Sequence, residues 1–165
     1  MPAPIVVMGV AGCGKSTVGD ALARRLGIAF LDADDLHPAV NIEKMARGQP
    51  LDDADREPWL AAVGDWLAVH RDGGVTACSA LRRHYRDQLR RYCPQAVFVH
   101  LDVPPEVIET RLAGRTRHFM SATLSASQFA TLEPLAGVES GITLDATASV
   151  DQLVGQCLSA TLITS

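Results

Sequence analysis

The stretch MGVAGCGKST, residues 8–17, lies directly after the apolar run IVV and directly before a segment with helical spacing of apolar residues. Gly9, Gly14, Lys15 and Ser16 satisfy the pattern G-x-x-x-x-G-K-[ST], which is a strong signal when a strand precedes it and a helix follows. Glycines let the backbone curl with its N–H groups facing inward, and the N-terminus of a helix attracts anions. This junction therefore predicts a phosphate-binding loop between a strand and a helix.

The side chains of this phosphate loop, residues 9–17, indicate what it holds. Lys15 supplies a mobile positive charge for β- and γ-phosphates and is a candidate catalytic residue, while the Ser16 hydroxyl is suited to Mg²⁺. We interpret Cys13 as a small filler within the loop. The candidates for nucleotide binding are Gly9, Val10, Ala11, Gly12, Cys13, Gly14, Lys15, Ser16 and Thr17. The loop therefore predicts a phosphoryl donor bound together with Mg²⁺.

Length and composition predict one soluble domain over residues 1–165. The chain has 165 residues, of which 47% are hydrophobic and 21% charged, a balance that is ordinary for a globular protein. The net charge of −4 does not indicate the basic surface that nucleic-acid binding requires. No apolar run approaches the ~18 residues of a membrane span. The four cysteines are neither closely paired nor dense, which favours reduced thiols. We therefore expect a cytoplasmic protein that binds neither nucleic acid nor membrane.

Five short apolar runs rich in branched residues predict buried parallel strands. They cover residues 4–8, 28–31, 74–78, 96–101 and 141–145, and segments with helical spacing lie between them. Helix boundaries are marked by Gly27, by Pro104 with Pro105, and by the capping-box pair Ser149 and Gln152. Strands that alternate with helices predict a three-layer α/β fold, with a five-stranded parallel sheet covered by helices on both faces.

Two carboxylates follow the second predicted strand. Asp32 and Asp34 alternate in an extended segment, so both are expected to reach the carboxyl edge of the sheet beside the phosphate loop. One of them is suited to holding Mg²⁺ through its water shell, and the other to orienting an acceptor hydroxyl and taking its proton. The residues alone leave open which carboxylate has which task.

Further polar residues are expected at the same edge of the sheet. They follow the second and third strands, and they are His37, Asn41, Lys44, Arg47, Cys78 and Ser79 with the segment ALRRHYRDQLRR. Cations and hydroxyl groups in one place suit a small, hydroxylated, anionic acceptor. We interpret Trp59 and Trp66, seven positions apart, as packing residues.

A long polar connection predicts a lid over residues 115–128. A kinase must exclude water from its site during transfer and then open to release product. Arg115 and Arg117 can reach developing phosphate charge, whereas Ser121 and Ala122 begin a run of small residues that pack weakly.

Longer motifs resemble those of one family. In chain order they are GVAGCGKST, FLDADDLHP, NIEKMARGQPLDDADREPWL, CSALRRHYRD and HFMSATLSASQFATLEP. Together they resemble the gluconate kinases (gluconokinases) of the small P-loop type, and the resemblance covers nearly the whole chain. It implies a nucleoside-monophosphate-kinase-like fold and ATP-dependent phosphorylation of D-gluconate to 6-phosphogluconate. It also implies a homodimer.

The resemblance also implies roles for single residues. Residues 9–17 would bind the ATP phosphates. The candidate Mg²⁺ ligands, chosen from the loop motif and the end of the second strand, are Ser16 and Asp32. Asp34 would act as a catalytic residue facing gluconate, and Arg115 as a second catalytic residue near the lid. His37 and the segment with Arg82 and Arg86 would also face gluconate, and Arg111 and Arg115 would contact the nucleotide near the lid. By their place at the sheet edge, Lys44, Arg47 and Ser79 are further candidate gluconate contacts. The chain departs from the family at Arg82, where a lysine is expected, and at Arg117, where a small residue is expected.

Three other functions compete with this interpretation. Shikimate kinase shares GCGKST and an Asp-x-Asp after the second strand, but it would call for a glycine triplet where this chain has CSALRR. A nucleoside monophosphate kinase would need base-reading residues, and we identify none. A non-catalytic nucleotide-binding module would leave the Asp34 pocket without a purpose.

Overall fold

The computed structural model describes residues 3–113 and 122–160 and contains one sheet of five parallel strands in the order β2-β3-β1-β4-β5. The strands are β1 Ile5–Met8, β2 Ala29–Asp32, β3 Gly74–Ala77, β4 Val97–Asp102 and β5 Gly141–Asp145. In the centre of the sheet, Ile5 of β1 lies between Val75 of β3 and Val97 of β4. The predicted five-stranded parallel sheet is confirmed, and every strand end lies within one residue of its predicted position.

Seven α-helices and one 3₁₀ turn connect these strands in the described part of the chain. The helices are α1 Lys15–Leu26, α2 Ala39–Ala46, α3 Asp53–Val69, α4 Arg83–Tyr92, α5 Pro105–Ala113, α6 Ala122–Thr131 and α7 Val150–Ser159, and the 3₁₀ turn is Ala33–Leu36. Gly27 ends α1 in the left-handed conformation with φ 69°, as predicted. Ser149 and Gln152 form the predicted capping box of α7. The long connection after β2 is therefore largely helical, because it holds the 3₁₀ turn and α2.

Alternating side chains of β1 divide the core into two apolar layers. Ile5 and Val7 face a cluster that includes residues of α1 and α7, whereas Val6 and Met8 face a cluster that includes residues of α3 and α4. All four side chains are fully buried, and burying one such side chain contributes about 1.5–3 kcal/mol. Helices thus cover both faces of the sheet, and the carboxyl ends of the strands remain available for a site.

Buried thiols and a buried indole complete the core. Cys13, Cys78, Cys93 and Cys157 are all buried and unpaired. Burial raises the pKa of each thiol, to about 12 for Cys78 and about 11 for Cys157. Trp59 is a packing residue as predicted, since it is 2% exposed and its Nε1 donates to Ala33 O at 2.7 Å.

No helix in the described ranges is both long and apolar enough to span a membrane.

Candidate functional site

The phosphate loop leaves β1 in a conformation that requires glycine. Gly9 has φ +147°, and a Cβ added there would lie 2.7 Å from Cys13 Sγ and 2.9 Å from Leu101 O. Gly14 has φ +97° and directly precedes α1. Both values lie where residues with a side chain are disfavoured, so the two glycines of the motif are explained by backbone geometry.

Several N–H groups of the loop point to an anionic ligand. The N–H of Cys13 is used within the loop, because it donates to Val10 O at 3.2 Å. By contrast, the N–H groups of Gly12, Gly14 and Ser16 have no protein acceptor among the described residues. They lie at the N-terminus of α1, where the helix dipole adds positive potential. This arrangement fits the phosphates of a nucleotide.

Lys15 places a charge beside these donors. Its side chain is nearly buried, with an exposure of 9%, yet no carboxylate within residues 3–113 and 122–160 pairs with it. An unpaired charge in such a position is costly unless a ligand of opposite sign binds to it. Lys15 therefore favours a bound anion at the loop, as the sequence predicts.

Ser16 and Asp32 form a hydrogen-bonded pair of side-chain oxygens. Ser16 Oγ donates to Asp32 Oδ2 at 2.9 Å, and Asp32 Oδ1 accepts from the Asp34 N–H at 3.0 Å. Mg²⁺ in nucleotide sites is usually held by one or two protein oxygens, together with phosphates and water. The pair therefore fits Mg²⁺ bound with a nucleoside triphosphate.

Three of the predicted charged residues, Lys15, Asp32 and Asp34, lie near the end of β3. Burial raises the pKa of the Cys78 thiol to about 12, and the charges of Asp34, Lys15 and Asp32 all act on this thiol. The sheet order accounts for this convergence, because β3 lies between β1 and β2, and the carboxyl ends of parallel strands meet at one edge.

Asp34 and His37, two of the predicted acceptor contacts, lie close together at this edge. The Asp34 side chain is 63% exposed, and its Oδ1 lies 3.9 Å from His37 Nε2. The buried His37 ring stacks on Trp59 at 4.2 Å, and its Nδ1 accepts a hydrogen bond from Asn41 Nδ2 at 3.1 Å. Because Nδ1 is the acceptor, we assign the ring proton to Nε2, which faces Asp34. Burial lowers the pKa of His37, so the ring is neutral at pH 7.

Arg56 lies near this pair and is not among the predicted site residues. Its Nη1 donates to Tyr85 Oη at 2.9 Å, and its charge contributes to lowering the pKa of His37. The Tyr85 hydroxyl in turn donates to Asp53 at the start of α3. The sequence shows an arginine in the first turn of a helix, but its position depends on how α3 packs against α4.

The other predicted acceptor contacts have different surroundings. Lys44 Nζ is paired with Asp55 Oδ2 at 2.6 Å, so its charge is already partly neutralised. Arg47 is exposed at the end of α2, and Ser79 is partly buried directly after the end of β3, where its carbonyl accepts from the Gly9 N–H. Arg82 immediately precedes α4, and its buried Nε has no partner among the described residues.

Arg86 lies in the core and not at the open edge. It is 0% exposed, and it forms a bidentate ion pair with Glu139 through Nε–Oε1 at 2.8 Å and Nη2–Oε2 at 3.1 Å. Its Nη1 donates to Ala80 O at 2.8 Å. Because this guanidinium has no accessible surface, the structure does not support the prediction that it faces gluconate. We assign Arg86 a structural role instead.

Arg111 reaches the phosphate loop from α5. Its guanidinium donates to Gly12 O at 2.9 Å and to Ala146 O, after β5, at 3.0 Å. It therefore braces the loop backbone at the predicted nucleotide site. Arg115, Arg117 and the first half of the predicted lid, residues 115–121, lie outside the described residues, and its second half, residues 122–128, belongs to α6.

Comparison with known proteins places this site in a family. The family model for shikimate kinase matches residues 11–155. The gluconokinase of Gluconobacter oxydans is 53% identical over 137 residues, which cover 80% of this chain and 76% of the relative. The chain belongs to the gluconokinase family. The resemblance to gluconokinases that the sequence motifs indicated is thereby confirmed. The shikimate kinase model describes the broader family to which gluconokinases belong.

Solved structures agree with this assignment. A gluconokinase from Sinorhizobium meliloti 1021 has a TM-score of 0.87 and 45% identity, covering 94% of this chain and 89% of that chain. The unliganded structure of a sugar kinase from Janibacter sp. HTCC2649 has a TM-score of 0.93 and 44% identity, covering 99% of this chain and 96% of that chain. The gluconokinase-family chain therefore has the predicted P-loop kinase fold over nearly its whole length.

Proposed function

We propose that this kinase transfers the γ-phosphoryl group of ATP to the 6-hydroxyl of D-gluconate. The proposal depends on the position of Lys15, which is nearly buried, has no carboxylate partner among the described residues and lies beside the open N–H groups of the phosphate loop. The exposed Asp34 lies at the same edge of the sheet. The gluconokinase relatives supply the choice of acceptor. ATP with Mg²⁺, when bound, supplies the phosphoryl group and neutralises part of the phosphate charge.

On the donor side, the chain holds and orients the phosphates. The N–H groups of Gly12, Gly14 and Ser16 and the Lys15 ammonium would face the phosphate oxygens, while Ser16 Oγ and Asp32 would hold the cation. All of these groups are positioned by the turn from β1 into α1 and by the end of β2. Such preorganised donors stabilise charge that develops during transfer and need little rearrangement.

On the acceptor side, Asp34 would orient the 6-hydroxyl of gluconate and take its proton. His37 would act as a positioning residue, because its Nε2–H faces Asp34 while Asn41 and Trp59 hold the ring. Arg56 and Arg82 would attract the gluconate carboxylate. Lys44, Arg47 and Ser79 are further proposed contacts, Arg111 is a proposed nucleotide contact, and Arg115 remains a predicted catalytic residue.

The replacement Asp34→Asn tests the proposed base. It keeps the shape of the side chain and removes the basic oxygen, so we expect kcat to fall about 100-fold or more, with ATP·Mg²⁺ affinity retained. Asp35→Asn is the matched control, because Asp35 is the exposed neighbour in the same 3₁₀ turn and its side chain has no hydrogen-bond or ion-pair partner among the described residues. Loss of ATP·Mg²⁺ affinity with kcat retained at saturating nucleotide would exchange the roles of Asp32 and Asp34.

A coupled assay for ADP release tests the acceptor. We expect turnover with D-gluconate to exceed turnover with other sugar acids and with shikimate. Preferential phosphorylation of shikimate would favour the shikimate kinase function, whose family model matches residues 11–155. ATP binding without transfer to any acceptor would favour a non-catalytic module.

We also propose that the kinase is a cytoplasmic homodimer that binds neither membrane nor nucleic acid. The family resemblance supports the dimer, and the four unpaired thiols support a reducing compartment. Light scattering on the purified protein at several concentrations tests the oligomeric state, and a monomer at all of them would contradict this part of the proposal.

A further inference from the structure

One N–H of the phosphate loop is occupied by a side chain from a distant helix. Ala11 N–H donates to Gln128 Oε1 at 2.7 Å, and the two residues are 117 positions apart. The nearby N–H groups of Gly12 and Gly14 have no protein acceptor in the described part of the chain. The Gln128 carboxamide thus occupies one N–H of the loop with a neutral oxygen, next to N–H groups that are open to an anion.

The turn after α6 holds this glutamine in place. The Glu133 N–H, just beyond α6, donates to Leu81 O at 2.7 Å, and its Oε1 accepts from the Arg83 N–H at 2.9 Å, where α4 begins. Within the same turn, the Leu132 N–H donates to Gln128 O at 2.9 Å. The end of α6 is therefore fixed to the acceptor side of the site, while Gln128 reaches the phosphate loop.

We propose that Gln128 is a positioning residue whose carboxamide competes with nucleotide phosphates for the Ala11 N–H. This inference rests on the proposed nucleotide site. An amide N–H carries one hydrogen, so it can serve the carboxamide oxygen or a phosphate oxygen in a good hydrogen bond. Hydrogen bonds to a charged acceptor are stronger than those to a neutral one, so the bound phosphate displaces Gln128 Oε1. Gln128 thereby keeps the loop donor satisfied when the site holds no nucleotide.

The competition sets a direction for substitutions. Gln128→Met preserves length and removes the competing oxygen, so we expect the Kd for a β,γ-imido analogue of ATP to fall about two- to tenfold, the range that one neutral hydrogen bond supports. Gln128→Glu replaces the neutral oxygen by a charged one that binds the same N–H more strongly and repels phosphate. For that variant we expect the Kd to rise about tenfold or more.

Matched controls separate these effects from general effects of charge and size. Gln156 is an exposed glutamine on α7 whose side chain has no hydrogen-bond partner among the described residues. Gln156→Met and Gln156→Glu should leave the Kd of the analogue within about twofold of the wild-type value. If Gln128→Met leaves the affinity unchanged or weakens it, the proposed competition is refuted.

Hydrogen exchange at the Ala11 amide gives a readout that a purely structural role would not produce. We expect this amide to exchange faster in free Gln128→Met than in free wild type, and equally slowly in both proteins when the analogue is bound. Equal exchange in the two free proteins would overturn the inference. If Gln128→Met does not fold, Gln128→Asn serves instead, because its side chain is one methylene shorter and cannot keep the 2.7 Å contact.

The same titrations distinguish this inference from the proposed function. Wild-type protein that does not bind the analogue would refute the proposed nucleotide site itself. Wild-type protein that binds it, together with Gln128 variants that bind it equally well, would refute only the role of Gln128.

Discussion

Glu139→Gln is expected to destabilise the fold strongly, because it removes one member of the buried ion pair with Arg86. The two side chains are 0% and 1% exposed. The Glu139 carboxylate also accepts hydrogen bonds from the Ala136 N–H at 2.8 Å and from Arg90. The substitution keeps the volume of the side chain and leaves the Arg86 guanidinium charged without a carboxylate partner. Removing one partner of such a pair typically costs about 3–5 kcal/mol.

The pKa of Glu139 gives a similar magnitude. Burial by itself raises this pKa, but hydrogen bonds from Arg86, Ala136 and Arg90 outweigh burial and bring it from 4.5 to about 2. A decrease of that size corresponds to about 3 kcal/mol of stabilisation by the charged form. For a chain of this length, a loss of about 3 kcal/mol should lower Tm by roughly 6–12 °C.

Urea unfolding across a range of pH tests this reasoning. The folded pKa lies below the ordinary value of 4.5, so the stabilisation is fully present from about pH 5.5 upward and is lost as the pH falls toward about 2. The difference in unfolding free energy between wild type and Glu139→Gln should therefore be constant from pH 7 to about pH 5.5 and should shrink below that. Glu109→Gln, on the exposed face of α5, should change stability by less than about 0.5 kcal/mol. A difference below about 1 kcal/mol at pH 7, or one that does not shrink in acid, would refute the reasoning.

Three further predictions concern other parts of the molecule. Lys15→Ala should lower turnover about 100-fold or more in a coupled ADP assay and leave Tm within a few degrees, and near wild-type turnover would contradict its role. Gly9→Ala should lower the unfolding free energy in urea by roughly 2–4 kcal/mol, because its Cβ would lie 2.7 Å from Cys13 Sγ at a positive φ, and unchanged stability would be inconsistent with that geometry. Burial lowers the pKa of His37 and His100 below 6.5. Near and below that pH, these side chains bind protons in the unfolded chain more readily than in the folded chain, so the unfolding free energy should decrease as the pH is lowered from about 7 to about 5. A urea midpoint that stays level or rises in that range would oppose this prediction.

The fold could be predicted closely because its signals are local. Each strand is a short apolar run, and Gly27 and the pair Ser149 and Gln152 mark helix ends by their own backbone requirements. Likewise, Lys15 and Asp32 belong to segments whose position follows from the sheet order, so their convergence could be predicted as well. Their chemical roles remain predictions.

Other features of the site depend on partners that are distant in sequence. In the sequence, Arg86 belongs to a cluster of cations that could bind a ligand. In the structure, it is paired in the core with Glu139, which is 53 positions away. Gln128 and Ala11 are separated by 117 positions, and no periodic pattern relates them. Pairings of this kind are set by how helices pack across the sheet, which a single sequence does not specify.

The four buried cysteines make it possible to measure local opening of the structure in the wild-type protein. The thiolate is the nucleophile that attacks an alkylating reagent, so a buried cysteine with a raised pKa reacts only when the surrounding structure opens. Cys13 lies in the phosphate loop and Cys157 on α7, which packs against α1, so their alkylation rates measure opening of the loop and of this helix without any introduced label. Nucleotide that closes the loop should slow alkylation of Cys13 far more than that of Cys157, and peptide mass spectrometry would record both rates in one sample.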